Sequence, residues 1–171
     1  MIISHIIGGL GNQMFQYAAG RSLAFENKTS LSLDVQDFNG YTLHNGYELD
    51  HIFNVGGHRA SHSDLNNTIG YLRAWSPIRR QLSSRKRLIN LSGPNMVIEP
   101  QFSFWKDFFE VKNDAYLVGY WQTEKYFDKI ESIIRRDFSF KQQPSTTNIE
   151  LISLIKHSSA ISLHIRRGDI A

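Results

Sequence analysis

Short apolar runs alternate along this chain with stretches in which apolar residues recur every three or four positions. A short apolar run is typical of a buried strand, and the three-to-four spacing is typical of a helix with one buried face. The predicted strands lie at residues 2–7, 31–34, 96–98, 116–118 and 160–165. The predicted helices lie at residues 12–26, 123–137 and 147–155, with another starting at Ser76 and Pro77. This alternation predicts an α/β fold, a parallel sheet with helices on both faces.

Local signals refine these elements. Thr147 and Glu150 have the spacing of a capping box and predict the start of the last helix. Residues 37–67 are rich in Gly, Asn and His, which predicts an irregular, substrate-facing excursion with a brief helical turn near residues 49–53. One face of the first helix is expected to pack closely on the sheet through Phe15, Ala18, Ala19 and Ser22.

Composition narrows the class of protein. With 171 residues, 41% of them hydrophobic, the chain can bury the core of one globular domain. Its net charge of +3 is too small to indicate a nucleic-acid partner. The lack of cysteine excludes disulfides and thiolate metal ligands. Because Met1 leads into a short strand without a basic leader, a cytoplasmic location is expected.

A glycine-rich turn joins the first strand to the first helix. Gly8, Gly9 and Gly11 permit a tight turn and the close approach of a ligand, and the positive end of the following helix suits a phosphate. Asn12 and Gln13 add neutral amides that can hydrogen-bond a sugar or a phosphate. The turn is therefore a candidate binding site, and a plain connection between strand and helix is the alternative.

The same turn is compatible with a dinucleotide-binding enzyme of the Rossmann type. In favour of that class, Asp34 lies near the position of the acid that binds the ribose. Against it, Met14 stands where the motif has a third glycine or alanine. Both interpretations of the turn stay open on the residues alone.

Two adjacent arginines follow the last predicted strand. Arg166 and Arg167 would stand at its carboxyl end, where open α/β sheets bind their ligands. Guanidinium groups stay charged and hold phosphate bidentately, so the pair suits a substrate that carries a pyrophosphate. His164 points to the same end of the strand, and Asp169 can pair with Arg167 to shape the turn.

Three segments of the chain resemble the α-1,2-fucosyltransferases. Residues 8–18 are similar to the opening signature of that family, residues 119–127 to a further segment, and residues 164–169 to its HxRRxD donor motif. The resemblance implies a GT-B fold. Residues 1–158 would form an N-terminal acceptor-side α/β domain, and residues 159–171 the truncated start of a donor-binding domain.

The resemblance also implies an activity. It is inverting transfer of L-fucose from GDP-β-L-fucose to the 2-hydroxyl of a β-galactoside, in the biosynthesis of glycans or bacterial surface polysaccharides, with no metal or other cofactor. Arg166 would stabilise the charge that develops on the departing GDP, and Asn12 would act near the reacting centre. The other implied donor-binding residues are Gly9, Gly11, Gln13, His164, Arg167 and Asp169.

The partners expected from the resemblance are GDP-fucose and a galactose-terminated acceptor glycan. Peripheral association with the inner membrane is left open. Ile170 departs from the aromatic residue that often follows the donor motif, and no Asp-x-Asp triplet of the metal-dependent class is present. Since only the first strand of a donor domain is present, little transfer is expected from this chain alone. The alternatives are the Rossmann-type enzyme and a non-catalytic truncated domain.

Overall fold

A five-stranded parallel sheet forms the centre of Met1–Lys141, the first of the two units into which the chain divides; the second is Gln142–Ala171. The computed structural model describes residues 1–40, 44–70, 95–163 and 165. The strands are β1 (Ile2–His5), β2 (Leu31–Asp34), β3 (His58–Arg59), β4 (Met96–Ile98) and β5 (Ala115–Val118). All of the pairings between them are parallel, so the predicted parallel α/β sheet is confirmed.

The strand order is β3-β2-β1-β5-β4. On one side β1 pairs with β2, the next strand along the chain, and on the other it pairs with β5, so that Ile3 lies between Ser32 and Tyr116. The order therefore reverses between β1 and β5. In open α/β sheets, ligands bind outside the carboxyl ends of the strands at such a reversal.

Helices lie on both faces of the sheet, as predicted. The described helices are α1 (Leu10–Glu26), α2 (Leu49–Ile52), α3 (His62–Ile69), α4 (Glu131–Asp137) and α5 (Thr146–Lys156). Successive strand residues point to opposite faces. Ile2 accordingly belongs to the core that includes Leu23 of α1, whereas Ile3 belongs to the core that includes Leu65 of α3.

Small residues bring α1 close to the sheet. Ala18, Ala19 and Ser22 are buried as expected. The closest approach is at Gly20, where a Cβ atom would lie 2.9 Å from the Cβ of Ser4. That distance leaves no room for a side chain at Gly20.

The excursion at residues 37–67 contains more regular structure than its composition predicts. Residues 62–69 form α3, and the two residues of β3 extend the sheet. Ser61 and Asp64 build a capping box: the backbone N–H of Asp64 donates to Ser61 Oγ at 3.1 Å, and that of Ser61 to Asp64 Oδ2 at 2.8 Å. The helix was missed because few of its residues are apolar, although the capping signal stands in the sequence.

The helix predicted over residues 123–137 is broken. Two short 3-10 turns, Glu124–Tyr126 and Asp128–Ile130, precede α4, and Phe127 leaves the helical region with φ −143°. The break accompanies the burial of Tyr126, whose ring lies 4.6 Å from that of Phe108 between centroids and whose hydroxyl accepts from the Trp105 N–H at 2.9 Å. Tertiary packing thus overrides the helical spacing.

The second unit contains α5. Its N-cap is Ser145, whose hydroxyl accepts from the Asn148 N–H, so the capping box predicted at Thr147 is wrong and Thr147 lies inside the helix. Its large apolar side chains are at least 41% exposed, namely those of Ile149, Leu151, Ile152, Leu154 and Ile155.

The strand predicted at residues 160–165 is wrong for residues 160–163 and 165, which have no regular structure. An apolar run becomes a strand only when a neighbouring strand satisfies its backbone groups, and the sequence pattern does not supply that neighbour. The helix predicted to start at Ser76 lies outside the described residues. None of the described helices has the length and apolar character needed to cross a membrane.

The packing of α1 predicts opposite effects for one substitution at two glycines. Gly20→Ala is expected to lower the free energy of unfolding by about 1–3 kcal/mol, because the new methyl group has no space against the sheet. Gly11→Ala in the same helix meets nothing within 4 Å and should stabilise by up to about 1 kcal/mol through helix propensity. Urea denaturation measures both, and equal effects would contradict this packing.

Candidate functional site

The loops that follow β1 and β5 lie side by side at the carboxyl edge of the sheet. Gln122 Nε2 donates to Asn12 Oδ1 at 2.6 Å, and Gln16 Nε2 donates to the carbonyl oxygen of Gly119 at 3.0 Å. These contacts join residues 8–18 and 119–127, two of the three segments on which the family resemblance rests. The structure thus brings Asn12, a predicted site residue, to the point where the strand order reverses.

The glycine turn is tight, and part of it faces open space. Gly8 has φ +84°, and a Cβ atom there would lie 2.8 Å from Asn12 Nδ2. A Cβ atom on Gly9, the N-cap of α1, would lie 3.5 Å from the His44 ring, whereas one on Gly11 would meet nothing within 4 Å. The first turn of α1 has no acidic side chain. The positive end of the helix is therefore approachable by an anion at Gly11.

The amide of Gln13 holds the turn from inside. The side chain is fully buried, and its Nε2 donates to the carbonyl oxygens of Gly8 and Gly46 at 2.8 Å each. Its Oε1 accepts from the Glu48 N–H at 3.0 Å. Every polar atom of the amide thus has a protein partner. These bonds tie residues 44–48 of the excursion to the turn, and contact of Gln13 itself with a donor stays a prediction.

The side-chain amide of Gln16 connects the residues that follow β1 and β5. It is fully buried, its Oε1 accepts from the Ile7 N–H at 2.9 Å, and its Nε2 reaches Gly119. One amide therefore links the chain leaving β1 to the chain leaving β5. Sequence reasoning did not single out Gln16. It follows Gln13 by three positions and therefore lies on the same face of the helix.

Glu99, directly after β4, binds the loop that follows β5. Its Oε2 accepts from the Tyr120 N–H at 2.7 Å and its Oε1 from the Trp121 N–H at 3.1 Å. Burial raises the pKa of the Glu99 carboxyl above its ordinary value, against the opposing effect of the two N–H donors. Sequence reasoning missed Glu99; its place at the carboxyl end of a strand was the available signal, and it is shared by many acids without a functional role.

Trp121 sits in an unusual conformation within this loop. Its φ is +54°, a left-handed value that is rare for a bulky residue. Its indole ring is fully buried, with its centroid 5.1 Å from that of Phe108 and 5.4 Å from that of Tyr126. Among the described residues, no hydrogen-bond partner is found for Trp121 Nε1.

Asp34, the acid considered for ribose binding, is engaged within the protein. It is 1% exposed, the Tyr116 hydroxyl donates to its Oδ2 at 2.6 Å, and the Gln36 N–H donates to its Oδ1 at 3.1 Å. Nearby, His5 Nε2 lies 2.9 Å from Asp37 Oδ2, with both side chains buried. Buried polar contacts therefore lie at the ends of both β1 and β2, which sequence reasoning did not foresee.

A groove of about 730 Å³ begins beside Gly11 and runs between α1 and residues 124–138, which include α4. Its size is that of pockets that bind small molecules. Its apolar lining comes from Met14, Phe15, Phe127, Ile134 and Phe138. Its charged lining comes from Glu124, Lys125, Asp128, Glu131 and Arg135. Aromatic rings beside carboxylates suit a ligand with both apolar and hydroxyl-bearing faces.

The four remaining predicted site residues, His164, Arg166, Arg167 and Asp169, lie outside the described residues. Within residues 1–40, 44–70, 95–163 and 165, no group of three His, Asp or Glu side chains is placed to hold a metal ion.

Comparison with known proteins finds one curated relative across the whole chain. The chain is 29% identical over 188 aligned positions to an alpha-1,2-colitosyltransferase from Escherichia coli. The alignment covers 99% of this chain and 55% of the relative, so the chain spans about half the length of the curated relative it matches. No protein-family profile matches the chain, and no solved structure matches it.

Different burial predicts different costs for replacing neighbouring amides. Gln13→Ala leaves two carbonyl oxygens and one N–H without their partner, so the free energy of unfolding should fall by about 2–4 kcal/mol. Asn12→Ala removes one hydrogen bond from a half-buried side chain and should cost less than about 1 kcal/mol. Denaturant titration measures the free energy of unfolding of both variants. A similar decrease in the two would contradict the conclusion that the Gln13 amide holds the glycine turn in place.

The raised pKa of Glu99 predicts the sign of a pH effect on stability. Between the ordinary glutamate pKa and the raised value, the folded state binds more protons than the unfolded state. The contribution of Glu99 is therefore largest at acidic pH and falls as pH rises through that window.

Glu99→Gln removes this titration. The unfolding free energy of the unmodified chain minus that of the variant should therefore decrease with rising pH. Glu110→Gln, the same substitution at an exposed residue, is the matched control. A difference that increases with pH would show that the backbone donors outweigh burial and lower the pKa.

Proposed function

We propose that this protein is a glycosyltransferase that moves L-fucose from GDP-β-L-fucose to the 2-hydroxyl of a galactoside. In enzyme terms it is a galactoside 2-α-L-fucosyltransferase of glycan or surface-polysaccharide biosynthesis. The observation that carries the proposal is the Gln122–Asn12 hydrogen bond, which unites two segments similar to the family at the ligand-binding edge of the sheet. The match to a colitosyltransferase along the whole chain supports the same class.

The proposed reaction needs no cofactor. The acceptor oxygen attacks the anomeric carbon of fucose, the bond from that carbon to the phosphate oxygen breaks, and GDP leaves with the electron pair. The hydroxyl proton passes to a base, and the configuration inverts. We assign Arg166 to the charge on the leaving phosphate, on the family resemblance. The donor site would be completed by His164, Arg167 and Asp169 and by Gly9, Gly11 and Gln13 of the glycine turn.

Asn12 is proposed to act at the reacting centre. Gln122 fixes Asn12 Oδ1, and among the described residues Asn12 Nδ2 has no hydrogen-bond partner. A fixed amide with an available donor can bind a sugar hydroxyl or a phosphate oxygen without adding charge. We assign the acceptor glycan to the groove beside Gly11, because aromatic rings can pack on a sugar face and charged side chains of both signs can hydrogen-bond its hydroxyls.

The rival dinucleotide-binding function is less well supported. It needs an acid available to the ribose, and Asp34 is buried against Tyr116 and the Gln36 N–H. We propose a cytoplasmic location, with peripheral membrane association as a secondary expectation. Neither nucleic acid nor a metal ion is part of the proposal.

The test is a transfer assay with the natural full-length protein and a β-galactoside acceptor, run with and without EDTA. GDP-fucose and GDP-colitose are compared, because colitose is L-fucose without its 3-hydroxyl and a site built to bond that hydroxyl rejects the analogue. Fucosyl transfer to the 2-hydroxyl is expected, and Asn12→Ala should reduce turnover by about tenfold or more. Asn66→Ala, at an exposed position on α3, is the matched control.

The outcomes separate the levels of the proposal. Transfer from GDP-colitose alone would keep the glycosyltransferase class and reject fucose as the sugar. Absence of transfer from either donor, together with NADH binding, would reject the class and favour the dinucleotide-binding alternative. Loss of activity in EDTA would reject a metal-independent reaction.

A further inference from the structure

We propose that Glu99 is a positioning residue of this site: its carboxylate fixes the loop at residues 119–122 so that Gln122 holds Asn12 at the carboxyl edge of the sheet. The control of the loop stands on the contacts of Glu99 alone. Its consequence for catalysis rests on the proposed function, in which Asn12 acts on the substrate.

The loop needs an external restraint in its middle. Trp121 has φ +54°, and such conformations of bulky residues persist only where the surroundings enforce them. The enforcing contacts are the two hydrogen bonds from the consecutive N–H groups of Tyr120 and Trp121 to the two oxygens of Glu99. Hydrogen bonds to an ionised carboxylate are stronger than those between neutral groups.

Glu99 packs directly against the backbone of the loop at Gly119. A Cβ atom on Gly119 would overlap Glu99 Cβ and would lie 2.8 Å from Glu99 Oε2. It would also lie 3.0 Å from Trp121 Cε2. Gly119 is therefore required for the close approach, and the carboxylate is held directly against the backbone that it binds.

The restraint is passed on to Asn12 through one residue. Gln122 follows Trp121 and donates to Asn12 Oδ1 at 2.6 Å. The start of the loop is anchored separately by Gln16 at the Gly119 carbonyl. The loop is thus fixed at its start by Gln16 and in its middle by Glu99, and Gln122 at its end holds Asn12. Releasing the middle frees the direction in which Gln122 points.

A direct catalytic role fits Glu99 less well. A general base must have an oxygen within reach of the proton that it removes. Both oxygens of Glu99 already accept backbone hydrogen bonds. The geometry therefore favours positioning over proton transfer.

The kinetic test uses Glu99→Gln in the natural full-length protein. The amide offers one acceptor oxygen and turns an NH2 group toward the other backbone N–H, so one of the two bonds is lost. We expect kcat to fall about tenfold, with KM values changed less than about threefold, because misplacement acts mainly on the reacting geometry. Gln122→Ala should lower kcat by a similar factor. Because the Gln122 side chain is exposed, this substitution should leave the fold intact.

The double variant tests whether the two residues act together. Glu99→Gln combined with Gln122→Ala should be no slower than the slower single variant, since both remove the same restraint on Asn12. Glu110→Gln is the control, with kcat unchanged. Losses that multiply in the double variant, or an unchanged kcat in Glu99→Gln, would overturn the positioning role.

Hydrogen exchange separates this proposal from the proposed function. The amides of Tyr120 and Trp121 should exchange faster in Glu99→Gln and at an unchanged rate in Glu110→Gln. Unchanged exchange in Glu99→Gln would overturn the control of the loop, whether or not the protein transfers sugar. Faster exchange in a protein that transfers no sugar would support control of the loop and reject the proposed function instead.

Discussion

The side chain of Gln16 makes the bridge on which the candidate site depends. Where β1 and β5 end, the backbone leaves the sheet and its polar groups lose their strand partners. Gln16 supplies both missing partners, an acceptor for the Ile7 N–H and a donor for the Gly119 carbonyl. A buried polar group without a partner is costly, so this one amide holds the chain that leaves β1 beside the chain that leaves β5.

Two further side chains, the buried Gln13 and the half-buried Glu99, hold neighbouring segments in the same way. Gln13 ties the glycine turn to residues 44–48, and Glu99 ties the loop after β5 to the end of β4. Each connects segments that are distant in the chain through two or more hydrogen bonds. Asn12 and Gly11 lie within this frame, one held by Gln122 and the other facing open space. A site whose supporting groups are already paired can bind its ligand without first being ordered.

Much of the sheet could be predicted because buried parallel strands are continuous apolar runs, as at residues 96–98. The pattern failed where packing or capping decides, since Tyr126 gains more from burial than from helical continuity and α3 is defined by Ser61 and Asp64. The glycine turn could be recognised from its own residues. The hydrogen-bond partners of the side chains beside it could not be predicted, because Asn12 accepts from Gln122, which lies 110 positions away, and no local pattern encodes that pairing.

Nuclear magnetic resonance titration of the isotope-labelled full-length protein tests the central claim, that ligands bind where the strand order reverses between β1 and β5. The ligands are GDP-fucose and a β-galactoside, added separately and together. The predicted result is that the largest amide shifts fall at residues 8–12 and 119–122. Shifts confined to the outer strand β3 and its neighbouring residues, with no shifts in those two loops, would contradict the claim.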